Sequence, residues 1–168
     1  VLGRLSGVEV DNKIDTRFDD VKKGTWYTGY VAWAAENKIV DGTSYFTFDP
    51  DAPITREQIC KIIVNYCDYD EYIDLIETEK YKKFADDAKI SDYARESVYF
   101  MAANGIIKGM ENNCFAPQNI TPYDQAIGYA NATREQALLI AVRMVENLGK
   151  LLQEFQKIQF YFQMKLFH

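Results

Sequence analysis

The sequence predicts an all-α protein with little or no sheet, built from tandem helix-loop-helix repeats, and three observations carry that prediction. The first is a helix-start signature used twice. Ile54-Thr55-Arg56-Glu57-Gln58 precedes Ile59, Ile62 and Ile63, and Ala132-Thr133-Arg134-Glu135-Gln136 precedes Leu138, Leu139, Ile140 and Val142. In each, the Thr hydroxyl caps an open backbone N–H and the Gln three positions on reaches back, forming a capping box. The second is a set of shared elements ahead of each signature. Phe18-Asp19-Asp20-Val21 returns as Phe84-Ala85-Asp86-Asp87, Ile39-Val40-Asp41-Gly42 as Ile106-Ile107-Lys108-Gly109, and Phe48-Asp49-Pro50 as Phe115-Ala116-Pro117. The third is helical periodicity between those elements. Trp26, Tyr30, Val31, Trp33 and Ala34, and then Tyr93, Val98, Met101 and Ala102, follow the i, i+3, i+4 spacing of a core-facing stripe.

Taken in order, residues 1–10, with Val1, Leu2 and Leu5, read as the end of a second helix from a preceding copy. Residues 11–67 form the first complete repeat. Its stripe helix is stopped by Gly42, which allows a left-handed residue beyond the C-cap, and a loop through Phe48-Asp49-Pro50 leads to the capping box and a second apolar helix. Residues 68–83, rich in Asp, Glu and Tyr, form a charged, solvated linker. Residues 84–149 repeat the pattern, with Gly109 in the place of Gly42 and an insertion at about 121–131 ahead of the second signature. Residues 150–168 form an apolar helical tail with Leu151, Leu152, Phe155, Ile158, Phe160, Tyr161, Phe162 and Phe167. Such a tail is too apolar to stay in water and is expected to pack on the bundle or on a neighbouring chain.

Composition narrows the function. At 168 residues the chain is one domain or a short array of repeats, large enough to bury a core, and twelve Tyr and ten Phe make it more aromatic than a plain helical bundle. A net charge of −6 argues against nucleic acid, whose phosphates need a basic face. It leaves room for a small anion held by a few local arginines. The only histidine is His168, which all but excludes a His-based metal site or a Ser-His or Cys-His catalytic arrangement. Cys60 and Cys67 sit seven positions apart on one helix, roughly 10 Å along its axis, too far to bridge. They and Cys114 read as reduced, partly buried thiols of the kind usual in a reducing compartment. No run of about twenty apolar residues predicts a membrane span. The opening Val-Leu-Gly-Arg-Leu reads as the interior of something longer, so the lack of a signal peptide says nothing about secretion.

The two arginines are the residues that folding alone leaves unexplained. Glu57 and Glu135 suit the positive end of a helix dipole, whereas Arg56 and Arg134 oppose it. The whole ordered series of Phe-x-Asp, Trp, Gly, Phe-x-Pro and Ile-Thr-Arg-Glu resembles the S-layer homology family over residues 18–66 and 84–147, with a remnant at 1–10. That resemblance implies three units in a pseudo-threefold helical spindle. It also implies an extracellular cell-wall or surface-layer location, and grooves between units that hold secondary cell-wall polysaccharide, often pyruvylated. An anaerobic host reconciles that location with reduced thiols. Carried over by motif, the groove arginines are Arg56 and Arg134, flanked by Thr55, Glu57, Thr133 and Glu135. The opening acids are Asp20 and Asp86, the aromatic is Trp26 with Tyr93 as its counterpart, and the turn glycines are Gly42 and Gly109. The second repeat departs from the pattern at Tyr93, at Asp87 and in its insertion.

The chemistry fits these residue types. A pyruvyl ketal places a carboxylate on a sugar, and Arg offers it bidentate donors while a helix N-terminus offers N–H groups. Each residue also has a plainer reading. Arg56 can clamp Glu57, Asp51 or an acid of the next unit, Trp26 can belong to the core as Trp33 does, and Asp20 and Asp86 can be helix caps or arginine partners. Asp41, Asp49 and Asp51 lack the spacing of a calcium loop. No cofactor is implied. A glycosidase-like pair could be drawn from Asp20 and Glu57, but short helical repeats offer grooves rather than the deep pocket such chemistry needs, so the chain is expected to be non-catalytic. The alternative is a protein–protein or self-assembly module that contacts other copies of itself or other surface-layer proteins.

Overall fold

The computed structural model describes residues 1–69, 81–127, 130–133, 136–147 and 149. The apolar tail over 150–168, Arg134, Glu135 and most of the charged linker lie outside the described residues. The fold is all-α, as expected. Its helices are α1 (Leu2–Leu5), α2 (Thr28–Glu36), α3 (Arg56–Tyr69), α4 (Asp92–Ala103), α5 (Pro122–Ile127) and α6, a helical run over 136–147. The one strand-like pairing among the described residues is an isolated antiparallel bridge between Thr55 and Asn131.

The internal repeat is visible in atomic detail. Helices α2 and α4 end alike, with Asn37 Nδ2 donating to Trp33 O at 2.8 Å and Asn104 Nδ2 to Phe100 O at 2.7 Å. The residue after each Asn is left-handed, Lys38 at φ 58° and Gly105 at φ 65°. This corrects the expectation that Gly42 and Gly109 stop these helices, since both lie well past the helix end. Their role is close approach. A Cβ on Gly42 would sit 2.6 Å from the Phe18 ring and 2.5 Å from Thr47 O, and one on Gly109 would sit 3.1 Å from the Phe84 ring. The rings so accommodated pair with the Phe of the following Phe-x-Pro, Phe18 with Phe48 at 5.3 Å and Phe84 with Phe115 at 5.2 Å.

The core does not respect the repeat boundary. Ile59, Cys60, Ile63, Tyr66 and Cys67 of α3 share one buried cluster with Ala94, Val98 and Met101 of α4, joined by Ala34 and Ile39 from one side and Ile140 and Met144 of α6 from the other. Each repeat is too small to bury its own apolar face, so the second helix of one unit closes on the first helix of the next. Helix α1 meets α2 in the same sense, with Gly3 against the Tyr30 and Trp33 rings. A smaller cluster of Phe18, Val21 and Val31 lies under the opening of repeat one.

In repeat two, Asp87 stands where repeat one has Val21, and the structure supplies it with partners. Asp87 Oδ1 accepts from Arg95 Nη1 and from the Tyr99 hydroxyl, each at 2.7 Å, and the same hydroxyl accepts from Phe84 N. The Tyr99 hydroxyl first, then Arg95, hold the Asp87 carboxyl below the usual carboxylate range. The insertion also carries structure of its own. Thr121 and Asp124 form a reciprocal capping box at 2.9 and 3.0 Å, and Pro122 fills the first helical position of α5. Thr121-Pro122-x-Asp124 was a legible signal for this short helix.

Cys60 and Cys67 are fully buried in the α3–α4 seam, while Cys114 is partly exposed. Burial pushes the Cys60 thiol up to about 12, which suppresses the thiolate that reacts. Native protein should therefore react with a thiol reagent at Cys114 alone, and at all three positions once unfolded. Rapid native labelling of Cys60, read by mass spectrometry, would contradict a closed seam.

Candidate functional site

Both helix-start signatures form the capping boxes their sequence predicts. Gln58 Oε1 accepts from Thr55 N at 2.8 Å while Gln58 N donates to Thr55 Oγ1 at 3.4 Å. The Thr133–Gln136 pair repeats this at 3.3 and 3.2 Å. The two signatures also meet in space. Arg56 N donates to Ala130 O and Ala132 N to Ile54 O, each at 2.9 Å. This short antiparallel contact helps satisfy N–H groups that a helix start would otherwise leave open.

Arg56 and Glu57, the first charged residues of α3, both turn into repeat two. Arg56 is only 6% exposed, with Nε donating to Phe115 O at 2.8 Å and Nη2 to Lys108 O at 3.0 Å. Its guanidinium carbon lies 5.0 Å from the centre of the Phe115 ring. These contacts resolve the electrostatic puzzle of a cation at a helix start: the charge is carried away from the N–H groups and onto carbonyl oxygens and a ring face. Glu57 is 3% exposed. Its Oε2 accepts from Ser91 N at 3.0 Å, and its Oε1 accepts from Ser91 Oγ at 2.8 Å and from the Tyr93 hydroxyl at 3.2 Å. Ser91 is the N-cap of α4, so the carboxylate of one repeat sits at the positive end of the first helix of the next. Burial, followed by the adjoining Glu57 charge, raises the Tyr93 hydroxyl to about 12.

The opening acids have matching tasks. Asp20 accepts from Phe48 N and Asp49 N at 2.7 to 3.2 Å, and Asp86 accepts from Phe115 N at 2.6 Å and Ala116 N at 2.8 Å. Each carboxylate thereby pins a Phe-x-Pro loop whose second residue is left-handed, Asp49 at φ 59° and Ala116 at φ 56°. The Phe48 N–H is the foremost cause holding Asp20 below its ordinary value.

The structure therefore brings Thr55, Arg56, Glu57, Tyr93 and, through the Phe115 loop, Asp86 and Gly109 to one junction between the repeats, with Thr133 close by. Asp20, Trp26 and Gly42 take their contacts within repeat one. Trp26 precedes α2 rather than lying on its stripe and is 73% exposed, edge-on to Tyr27 at 5.4 Å. Sequence reasoning missed Ser91, Lys108 and the 130–132 segment. Ser91-Asp92 ahead of an apolar stripe is a legible N-cap signal. The other two act through backbone atoms, on which side-chain identity has no bearing.

Two helix-loop-helix units, locked by a charged helix start that reaches into the next unit, define a tandem helical-repeat module. The chain belongs to the S-layer homology domain family, which it matches over residues 17–60 and 83–126. The second match takes in the Thr121 cap of α5 and ends ahead of Thr133. Similar proteins include a surface-layer 125 kDa protein of Lysinibacillus sphaericus, 31% identical over 85% of this chain and 11% of its own length. An amylopullulanase of Thermoanaerobacterium thermosulfurigenes is 32% identical over 84% of this chain and 7% of its own. The exoglucanase XynX of Acetivibrio thermocellus is 33% identical over 80% and 11%. The chain thus spans only a small part of each of these relatives, one a surface-layer protein and two named as enzymes. What they share with it is the repeat module, and membership of that family identifies the chain as a cell-surface anchoring module associated with the cell wall.

Two outcomes follow from the geometry. Glu57→Ala removes the shared acceptor of the part-buried Ser91 and Tyr93 hydrogen bonds, at a cost of about 1–3 kcal/mol. Thermal unfolding should fall by several degrees while helicity is retained. The folded pKa of Asp20 lies below its unfolded value near 4, so its stabilisation is present at pH 7 and is lost as pH falls through the folded value. The melting-temperature gap between wild type and Asp20→Asn should narrow steadily below about pH 4; a gap independent of pH would remove the charge from the explanation.

Proposed function

We propose that this module anchors its carrier by binding an anionic secondary cell-wall polysaccharide, pyruvylated on its sugars, in grooves between repeats and without catalysis. The observation that carries this reading is Tyr93. The residue is 54% exposed at the repeat junction, yet its hydroxyl is tied to Glu57, next to Arg56. A tethered, exposed ring is a rigid stacking platform for a sugar face, and little rotamer entropy remains to be lost on binding. Arg56, held by Lys108 and Phe115, supplies a fixed positive potential for a carboxylate on that sugar. Thr55 and Glu57 set the helix start that positions it, and Asp86 and Gly109 shape the loop opposite. In repeat one, Trp26 offers the corresponding exposed ring, with Asp20 and Gly42 shaping its loop. Thr133, Arg134 and Glu135 are assigned to the second groove as the counterpart of Thr55, Arg56 and Glu57.

A self-assembly role has one observation in its favour, the apolar residues exposed along α6. Sedimentation with purified wall sacculi, before and after the polysaccharide is stripped, separates the two readings. Binding should vanish from stripped walls, and retention there would transfer the function to self-assembly. Because Arg56 also clamps the fold, Tyr93 gives the cleaner variant. Tyr93→Phe should keep most of the binding, and Tyr93→Ala should lose about tenfold, the size of one aromatic stacking contact. Equal binding by wild type and Tyr93→Ala would rule out the groove at this junction.

A further inference from the structure

Repeat one carries an arginine outside its capping box. Arg17 Nη2 donates to Asp41 O at 2.7 Å, and its guanidinium carbon lies 4.7 Å from the centre of the Phe18 ring and 5.4 Å from that of Tyr45. The counterpart of Asp41 in repeat two is Lys108, whose carbonyl accepts from Arg56 Nη2 at 3.0 Å. Phe18 pairs with Phe48, the counterpart of the Phe115 ring that Arg56 covers. The two loops match in their backbone bonds as well, Asp19 N donating to Phe46 O and Ala85 N to Asn113 O, each at 2.9 Å. From within repeat one, Arg17 therefore takes the place at this loop that Arg56 takes in repeat two from the repeat before it. The two arginines differ in exposure. Arg56 is buried, with Nε and Nη2 on carbonyls. Arg17 is exposed, and among the described residues it donates to Asp41 O alone and pairs with no carboxylate. Lys83, at the corresponding position of repeat two, lies 3.7 Å from Asp87, an acid whose place in repeat one belongs to Val21. Beside Arg17 stand Tyr45 and Phe46, 68% and 57% exposed and edge-on to each other at 4.7 Å, where repeat two has Asn112 and Asn113.

We propose that Arg17, Tyr45 and Phe46 form an additional subsite, confined to repeat one, for a sugar that carries a carboxylate. It rests on the reading that the module binds such a polysaccharide, and adds a place on the chain where it is held. The unused N–H edge of the guanidinium takes the carboxylate, with the planar fork that suits it. The exposed rings take the apolar face of the sugar. A carbonyl and two rings already hold the guanidinium in place, so little side-chain freedom is left to lose on binding. Asp15 and Glu36 line the cavity next to Arg17, and Asp15 is itself paired with Lys23 at 2.9 Å. Their negative charge keeps the subsite modest in affinity, a supplement to the junction at Tyr93.

The test titrates the full chain with a pyruvylated methyl hexoside, and with the same hexoside lacking its pyruvyl group. Arginine side-chain N–H and tyrosine ring signals are followed by NMR, with thermal unfolding and far-UV circular dichroism as controls on folding. The Arg17 Nε and Tyr45 ring signals should shift with the pyruvylated hexoside and stay still with the plain one. Arg17→Gln, read at the Tyr45 ring, and Tyr45→Asn, read at Arg17, should each weaken Kd at this subsite about tenfold. Arg17→Lys should weaken it less, keeping the charge and losing the fork. Tyr93→Ala should leave both signals responding as before, the mark of a separate subsite. A response at Tyr93 with none at Arg17 or Tyr45 overturns this inference and leaves the junction reading standing. A response at none of the three overturns both. Arg17→Gln that lowers Tm by several degrees while the Tyr45 response is unchanged makes Arg17 a clamp of its loop, and also overturns the subsite.

Discussion

The structure depends on the burial of two adjacent opposite charges, Arg56 and Glu57, at the start of α3. Removing a guanidinium and a carboxylate from water costs several kcal/mol each unless their hydrogen-bonding capacity is met. The next repeat contributes to meeting it: two carbonyls and a ring for Arg56, and a helix cap and a tyrosine for Glu57. The apolar seam between α3 and α4 lies in the larger of the two buried clusters. The charged pair decides how the seam is registered, since a small slide would strand both charges. Specificity rather than bulk stability is the contribution that such a pair makes.

The same pair ties loop geometry to helix geometry. Asp86 bends the Phe115 loop into a left-handed turn, and that turn aims the Phe115 carbonyl at Arg56. An acid at the opening of repeat two therefore sets the acceptor for a cation that begins the second helix of repeat one. Asp20 bends the equivalent loop of repeat one in the same way. A residue type that reads as a ligand contact in isolation is here also a loop clamp.

For an anchoring module this arrangement has a mechanical merit. On the proposed function, a ligand held at the junction would touch both repeats, and load on the carrier would then be shared across the α3–α4 seam. The exposed rings of Trp26 and Tyr93 mark corresponding places at the openings of the two repeats. They differ in their contacts: Tyr93 is tethered through its hydroxyl to Glu57, whereas Trp26 packs edge-on against Tyr27.

By itself the sequence determined the all-α class, the tandem organisation, both capping boxes and the apolar faces of α3 and α4. Each of these depends on local spacing and local hydrogen bonds, which residue order dictates. It also singled out Arg56 as a residue out of place at a helix start. Where that charge goes was decided only by tertiary structure, because its partners are the carbonyls of Lys108 and Phe115, and backbone atoms are alike whatever residue carries them. The same reason explains the helix stops. Gly42 and Gly109 looked like C-caps, yet Lys38 and Gly105 take that role, and the glycines are required by the Phe18 and Phe84 rings packed against them. A ring approaching from a distant part of the chain leaves no trace in local periodicity. Long-range contacts of that kind turned two readable repeats into one joined core.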